Sequence, residues 1–258
     1  SDVYKRQDNY LPISSAQQHI VIITPVYNAD KYIEKCIDSV IAQDYDNWSM
    51  YIIDDKSTDN TLHLAYKKYH PNILVIDNDN NMGAVYNQIK TIKDRCYPND
   101  IVILLDGDDS LVNNNQIFRM YNELYDGSTE FTYGSCLSMA DKIPLVAQPY
   151  PEHIRYDKKY REHKFNWNMP YTHLRTFRAR LILDADEANF KDDQGNWFRA
   201  GGDCSLFYTA IEMADPAKVK ALTYIVYNYN DLNPINDYKI NSAEQTDTAN
   251  LILSRKLQ

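Results

Sequence analysis

Apolar runs alternate with amphipathic stretches through residues 19–106, and each change of rhythm marks an element. "HIVIITPVYN" (19–28) reads as a buried strand. After it Ala29, Tyr32, Ile33, Cys36, Ile37, Val40 and Ile41 recur at the i, i+3, i+4 spacing of a helix with one apolar face. "WSMYIIDD" (48–55) predicts a second strand, and "STDNTLHLAYKKYH" (57–70) a helix opened by residues suited to capping. "NILVID", "GAVYNQIKTIKDRC" and "DIVILLD" then predict strand, helix and strand. Strands this apolar, alternating with helices, imply a mostly parallel sheet covered on both faces: an α/β fold.

Beyond Asp109 the rhythm changes. "NNQIFRMYNELYD" predicts a helix and "EFTYGSCLSM" an extended segment, while residues 148–172 read as a loop rich in Pro, Tyr and charge. "CSLFYTAIEMA" predicts a helix, "ALTYIVYNY" a strand and "SAEQTDTANLILSRKL" a terminal helix. No internal repeat or low-complexity linker divides the chain, so residue 110 marks only a soft boundary. Residues 1–7, "SDVYKRQ", match the translation of a sequencing adapter and are expected to be an assembly artefact within an N-terminal extension, 1–18.

Composition narrows the function classes. The chain of 258 residues is 44% hydrophobic, enough for one large α/β core. Its formal charge of −9 disfavours nucleic acid, whose phosphates are bound through clustered Lys and Arg. Cys36, Cys96, Cys136 and Cys204 are scattered without a CxxC pair, which fits a reducing, cytoplasmic setting. No run reaches the ~18 apolar residues of a membrane span and no signal-peptide pattern precedes the first strand, so a soluble protein is expected. Many of the 22 Tyr residues lie in loops of the second half, where ring and hydroxyl suit polyol contacts as well as packing.

The candidate chemistry sits at strand ends. In open α/β sheets ligands bind beyond the carboxyl ends of parallel strands. Here "TPVYN" follows the first strand, "DDKSTD" the second and "DGDD" the fourth, so the three motifs are expected to share a crevice. Asp106, Asp108 and Asp109 end an apolar strand with like charges. A solvated acidic turn is the plain explanation; clustered carboxylates also suit a hard cation, Mg²⁺ or Mn²⁺, bridging to substrate phosphates. Asp54 and Asp59 suit capping of the following helix.

The stretch from "VIITPVYNADKYIEKCIDSVIAQDYDNWSMYIIDDKSTDNT" through "NNMGAVYNQI" to "DIVILLDGDDSL" resembles family 2 glycosyltransferases of the GT-A fold. The resemblance is strong over residues 19–115 and weak beyond. It implies a Rossmann-like α/β fold with a central sheet flanked by helices. Residues 19–110 would form the nucleotide-sugar-binding half and 111–258 an acceptor-binding half of the same domain. It further implies a nucleotide-sugar donor, a divalent metal and transfer with inversion to a glycan, lipid-linked or protein acceptor. Pro25, Val26 and Tyr27 would line the nucleoside, Asp55 the base, and Asn81 and Gly83 the nucleotide. Asp106 or Asp108 would meet the ribose, and Asp108 or Asp109 the metal. In "FRAGGDCSLFYTAIEMA" Asp203 would be the catalytic base, with an N-cap as the rival role. Gly201 and Gly202 suit close approach to a ligand. His173 and Arg175, expected before a helix near Arg178, would meet diphosphate or acceptor, or serve surface and capping roles. Asn228, Asn230 or Asp231 would be late metal ligands.

The absence of a QxxRW motif and of a membrane segment disfavours the processive polysaccharide synthases. Two alternatives remain. A sugar nucleotidyltransferase would want a Gly-rich phosphate loop that "TPVYNADKY" lacks, and a non-catalytic binding module would have less need of Asp108, Asp109 and Asp203.

Overall fold

The computed structural model describes residues 17–163 and 173–256. The expected extension 1–18, apart from its last two residues, and the end of the 148–172 loop lie outside them. The first half is built as its periodicity predicts. Strands β1 (Ile20–Val26), β2 (Trp48–Asp54), β3 (Ile73–Asp77) and β4 (Ile101–Leu104) alternate with helices α1 (Ile33–Ile41), α2 (Thr61–Lys67) and α3 (Ala84–Arg95). Register is continuous across the parallel strands, with Val26 beside Asp54 and Ile23 beside Leu104.

Successive residues of β1 feed opposite cores. Val21 and Ile23 pack with Val85, Ile89 and Phe207, whereas Ile20 and Ile22 pack with Ile33, Ile37 and Phe118. This alternation is why β1 is apolar at nearly every position: both faces of the strand are covered.

The second half adds β5 (Ser110–Leu111), α4 (Ile117–Leu124), β6 (Phe131–Ser138), β7 (Pro144–Leu145) and α5 (Glu152–Tyr156). It continues with β8 (Arg175–Arg178), α6 (Arg180–Leu183), α7 (Asp203–Met213), β9 (Val219–Tyr229), α8 (Asp237–Ile240) and α9 (Ser242–Ser254). The described residues form one nine-stranded sheet in the order β3-β2-β1-β4-β8-β6-β9-β5, with β7 on β6.

Two expectations are corrected. The segment 148–172 is not all loop, because α5 turns within it and buries Ile154. The helix expected near Arg178 is instead strand β8, wedged antiparallel between β4 and β6, and only the short α6 follows it. Cross-strand pairing on both edges outweighs the weak local helical pattern there.

Candidate active site

Because β1, β2 and β4 are parallel, their carboxyl ends open on one side, and the loops that follow them meet there. The Asp55 amide donates to the Val26 carbonyl at 2.8 Å and the Gly107 amide to the Pro25 carbonyl at 3.3 Å, which draws both loops against the end of β1. A β-carbon on Gly107 would lie 2.6 Å from Val26 Cβ, so the DGDD turn sits this close only because residue 107 has no side chain.

The result is a cleft of about 610 Å³. Pro25, Val26, Tyr27, Asp55, Asn81, Gly83, Asp106, Asp108, Asp109 and Asp203 all line it, whereas the late metal candidates Asn228, Asn230 and Asp231 do not. His173 and Arg175 line it too.

Asp55 is a structural hub as well as a wall residue. Its Oδ1 accepts from the Met82 amide at 2.7 Å and from Asn78 Nδ2 at 3.0 Å, and Oδ2 from the Gly83 amide at 2.7 Å. Asn81 Nδ2 closes the loop on the Asp55 carbonyl at 3.0 Å. A carboxylate offers about four acceptor positions, so three internal bonds leave room for one ligand N–H. Of the neighbouring acids, Asp59 takes the first helical amide, from Thr61, as a capping residue does. Asp54 serves a turn, accepting from the Ser57 amide.

The acidic cluster is fastened to the last strand. Asp109 Oδ2 accepts the Tyr227 hydroxyl at 2.5 Å and Oδ1 the Asn230 amide at 2.6 Å. Asp108 Oδ2 accepts Asn233 Nδ2 at 2.6 Å, leaving Oδ1 without a hydrogen-bond partner among the described residues. Burial pushes the Asp108 carboxyl up. Burial, and then the charges of Asp108 and Asp106, hold Asp109 well above the usual carboxylate range. The three late polar candidates turn elsewhere: Asn228 Nδ2 donates to Ser110 Oγ, Asn230 Nδ2 to the Asp108 carbonyl, and Asp231 accepts from Ser138 Oγ and the Ala140 amide. No group of three or more His, Cys, Asp or Glu among the described residues is arranged to hold a metal ion by itself.

Asp203 is not an N-cap. Gly202 occupies that position, and Asp203 is the first residue of α7, its Oδ2 accepting from Arg175 Nη2 at 3.0 Å. The Arg175 side chain is 7% exposed and that of Asp203 42%, so the cation lies beneath the carboxylate. Burial works against the Arg175 charge, but Asp203 and Asp106 outweigh it and raise its pKa. The preceding glycines both line the cleft and are closely packed: a β-carbon on Gly201 (φ 72°) would meet the Gln245 carbonyl at 2.9 Å, and one on Gly202 would meet Val85 Cγ2 at 2.5 Å. His173 stacks on Tyr227 and Tyr229, with ring centroids 4.7 and 5.4 Å away, and burial lowers its pKa well below the ordinary value.

Sequence reasoning missed Arg199, Tyr227, Asn233 and Gln88. Arg199 reaches across from the loop before α7, donating from Nη1 to Asn81 Oδ1 at 2.9 Å and from Nη2 to the Asn81 carbonyl at 3.0 Å. Gln88 is buried at the cleft with Oε1 unpartnered. The polar run "YNYNDLN" closing β9 was the available signal for Tyr227 and Asn233; nothing in the sequence marks Arg199.

The model of glycosyl transferase family 2 matches residues 21–186, more than half of the chain. The chain belongs to that family. It is 32% identical over 142 residues to TuaG of Bacillus subtilis (strain 168), a glycosyltransferase ascribed to teichuronic acid biosynthesis; the match takes in 54% of this chain and 55% of that protein. The chain thus spans about half the length of this curated relative. Among solved structures, S. aureus TarS 1-349 in complex with UDP-GlcNAc shares the fold at a TM-score of 0.66 and 18% identity, over 93% of this chain and 68% of that one. The mannosyltransferase PcManGT of Pyrobaculum calidifontis, in complex with GDP-Man and Mn²⁺, does so at 0.60 and 16%, over 97% and 70%. The family 2 chain is therefore an α/β protein of the GT-A type. Among its described residues no helix is long and apolar enough to cross a membrane.

Proposed function

We propose that this family 2 chain is a metal-dependent inverting glycosyltransferase that moves one sugar from a nucleotide diphosphate sugar, a UDP-sugar foremost, to a hydroxyl of a glycan or similar acceptor. The observation that carries this reading is the meeting, in one cleft, of three strand-end motifs with the helix-start carboxylate of Asp203. Related folds holding UDP-GlcNAc and GDP-Man support a nucleotide-sugar donor.

The acidic cluster fits a hard cation in part. Mg²⁺ and Mn²⁺ sites commonly use one or two carboxylates and fill the remaining positions with phosphate and water, so a three-residue protein cage is unnecessary. Asp108, with Oδ1 available, and Asp106 would hold the ion, while Asp109 anchors the cluster to β9. When bound, the ion would neutralise charge developing on the departing diphosphate.

The chain's own groups then have distinct tasks. Asp55, Asn81 and Gly83 would hold the nucleotide end through a loop already closed by internal hydrogen bonds. Asp203 would take the acceptor hydroxyl's proton as that oxygen bonds to the anomeric carbon. The bond from that carbon to the diphosphate oxygen breaks, and its electron pair leaves with the nucleoside diphosphate. Attack opposite the leaving group inverts the sugar.

Asp203→Asn tests the assignment, because the amide oxygen can still accept from Arg175 while the base is gone. Turnover should fall by about 10² to 10⁴ with UDP and Mn²⁺ binding intact. Wild-type turnover, or retention of anomeric configuration in product NMR, would remove Asp203 from the mechanism.

A further inference from the structure

Two cations line the cleft among its described residues, Arg175 and Arg199, against five aspartates. Arg199 is committed to Asn81 near the nucleotide end. Arg175 is different, because it reaches Asp203 from the floor of the sheet.

Its position follows from strand direction. β8 runs opposite to β4 and pairs Leu104 with Arg175, so the first residue of β8 stands where β4 ends. On its other edge β8 pairs Arg175 with Tyr133 of β6. Strands on both sides therefore hold the Arg175 backbone, and its side chain is buried. Asp203 has no comparable support. It sits at the start of α7 on the rim, its side chain 42% exposed.

We infer that Arg175 is a positioning residue for Asp203: it holds Oδ2 and aims Oδ1 at the acceptor hydroxyl. The inference rests on the reading of Asp203 as the base. Oδ1 of Asp203 has no hydrogen-bond partner among the described residues, whereas Oδ2 is 3.0 Å from Arg175 Nη2. A carboxylate with one oxygen tethered has lost most of its rotational freedom, which is how a buried neighbour sets the geometry of proton transfer.

A double-mutant cycle decides the matter. Arg175→Gln, Arg175→Lys, Asp203→Asn and the two double variants are assayed as UDP release from UDP-GlcNAc with Mn²⁺, water serving as acceptor. Arg175→Gln should lower kcat by about 10²-fold, the size of a misplaced catalytic group, with the donor KM little changed. Arg175→Lys should recover much of the loss. In the Asp203→Asn background both Arg175 substitutions should cost almost nothing more, since there is no base left to aim. If Arg175→Gln does not fold, as a melting curve shows, Arg175→Met, alone and with Asp203→Asn, takes its place in the cycle. Wild-type kcat in the variant that removes the Arg175 charge, or an equal loss in both backgrounds, overturns the positioning role while leaving the base in place. Wild-type turnover in Asp203→Asn overturns the base itself.

Discussion

Asp109 and Tyr227 are joined across the sheet by a 2.5 Å hydrogen bond, the hydroxyl of the last long strand donating to a carboxylate of the DGDD turn. With the Asn230 amide on its other oxygen, Asp109 becomes the staple between the two halves of the chain.

That staple has a pH signature. Burial and the neighbouring carboxylates raise the Asp109 pKa in the folded state, so folding favours its protonated form. The contribution is complete below the ordinary carboxylate range and is lost as pH rises through the raised value. Asp109→Asn removes the titration and keeps an acceptor for the Asn230 amide. Melting temperatures of the metal-free proteins should therefore move in the variant's favour from pH 5 to pH 8, by about 2–4 °C for each 1 kcal/mol. Parallel curves would show that Asp109 does not titrate in this window.

Asp55 is expected to matter before any nucleotide arrives. Its carboxylate satisfies the Met82 and Gly83 amides, so Asp55→Ala should cost the ligand-free protein roughly 1.5–3 kcal/mol in chemical denaturation, the usual loss for bonds to a charged group. UDP affinity should fall with it. Unchanged stability would mean that the 78–83 loop is held by other contacts.

Metal dependence is read most directly by thermal shift. UDP with Mn²⁺ should raise the melting temperature of the wild-type chain, because a ligand that binds only the folded state stabilises it. Chelator should abolish the increment due to Mn²⁺, and Asp108→Asn should remove most of it while the metal-free melting temperature changes little. An undiminished Mn²⁺ increment in that variant would exclude Asp108 as a ligand.

Arg199 supplies a fourth test. Its two bonds to Asn81 are near the surface, so Arg199→Ala should lower ligand-free stability by about 1 kcal/mol or less. By freeing the loop of Asn81 and Gly83 it should weaken UDP binding about fivefold in calorimetry, an effect of roughly 1 kcal/mol. Equal UDP affinity would confine Arg199 to packing over Gly83.

The amino-acid sequence by itself determined the parallel half of the sheet and the edge at which its strand-end motifs meet. Apolar runs such as Ile20–Val26 and Ile101–Leu105 can be satisfied only between two covered faces, and parallel strands put the residues that follow them, Tyr27, Asp55 and Asp106, at one edge. Asp203 was legible as a candidate from its motif, though its partner was not.

Only the tertiary structure decided the pairings that give the cleft its form: Arg175 with Asp203, 28 residues apart, and Asp109 with Tyr227, 118 apart. It also showed that Gly201 and Gly202, which line the cleft, are packed against Gln245 and Val85. The physical reason is that periodicity reports which face of an element is buried, a local property. The direction of β8 between β4 and β6 depends on hydrogen bonding to two strands distant in the chain, and that direction places a buried cation under the rim carboxylate.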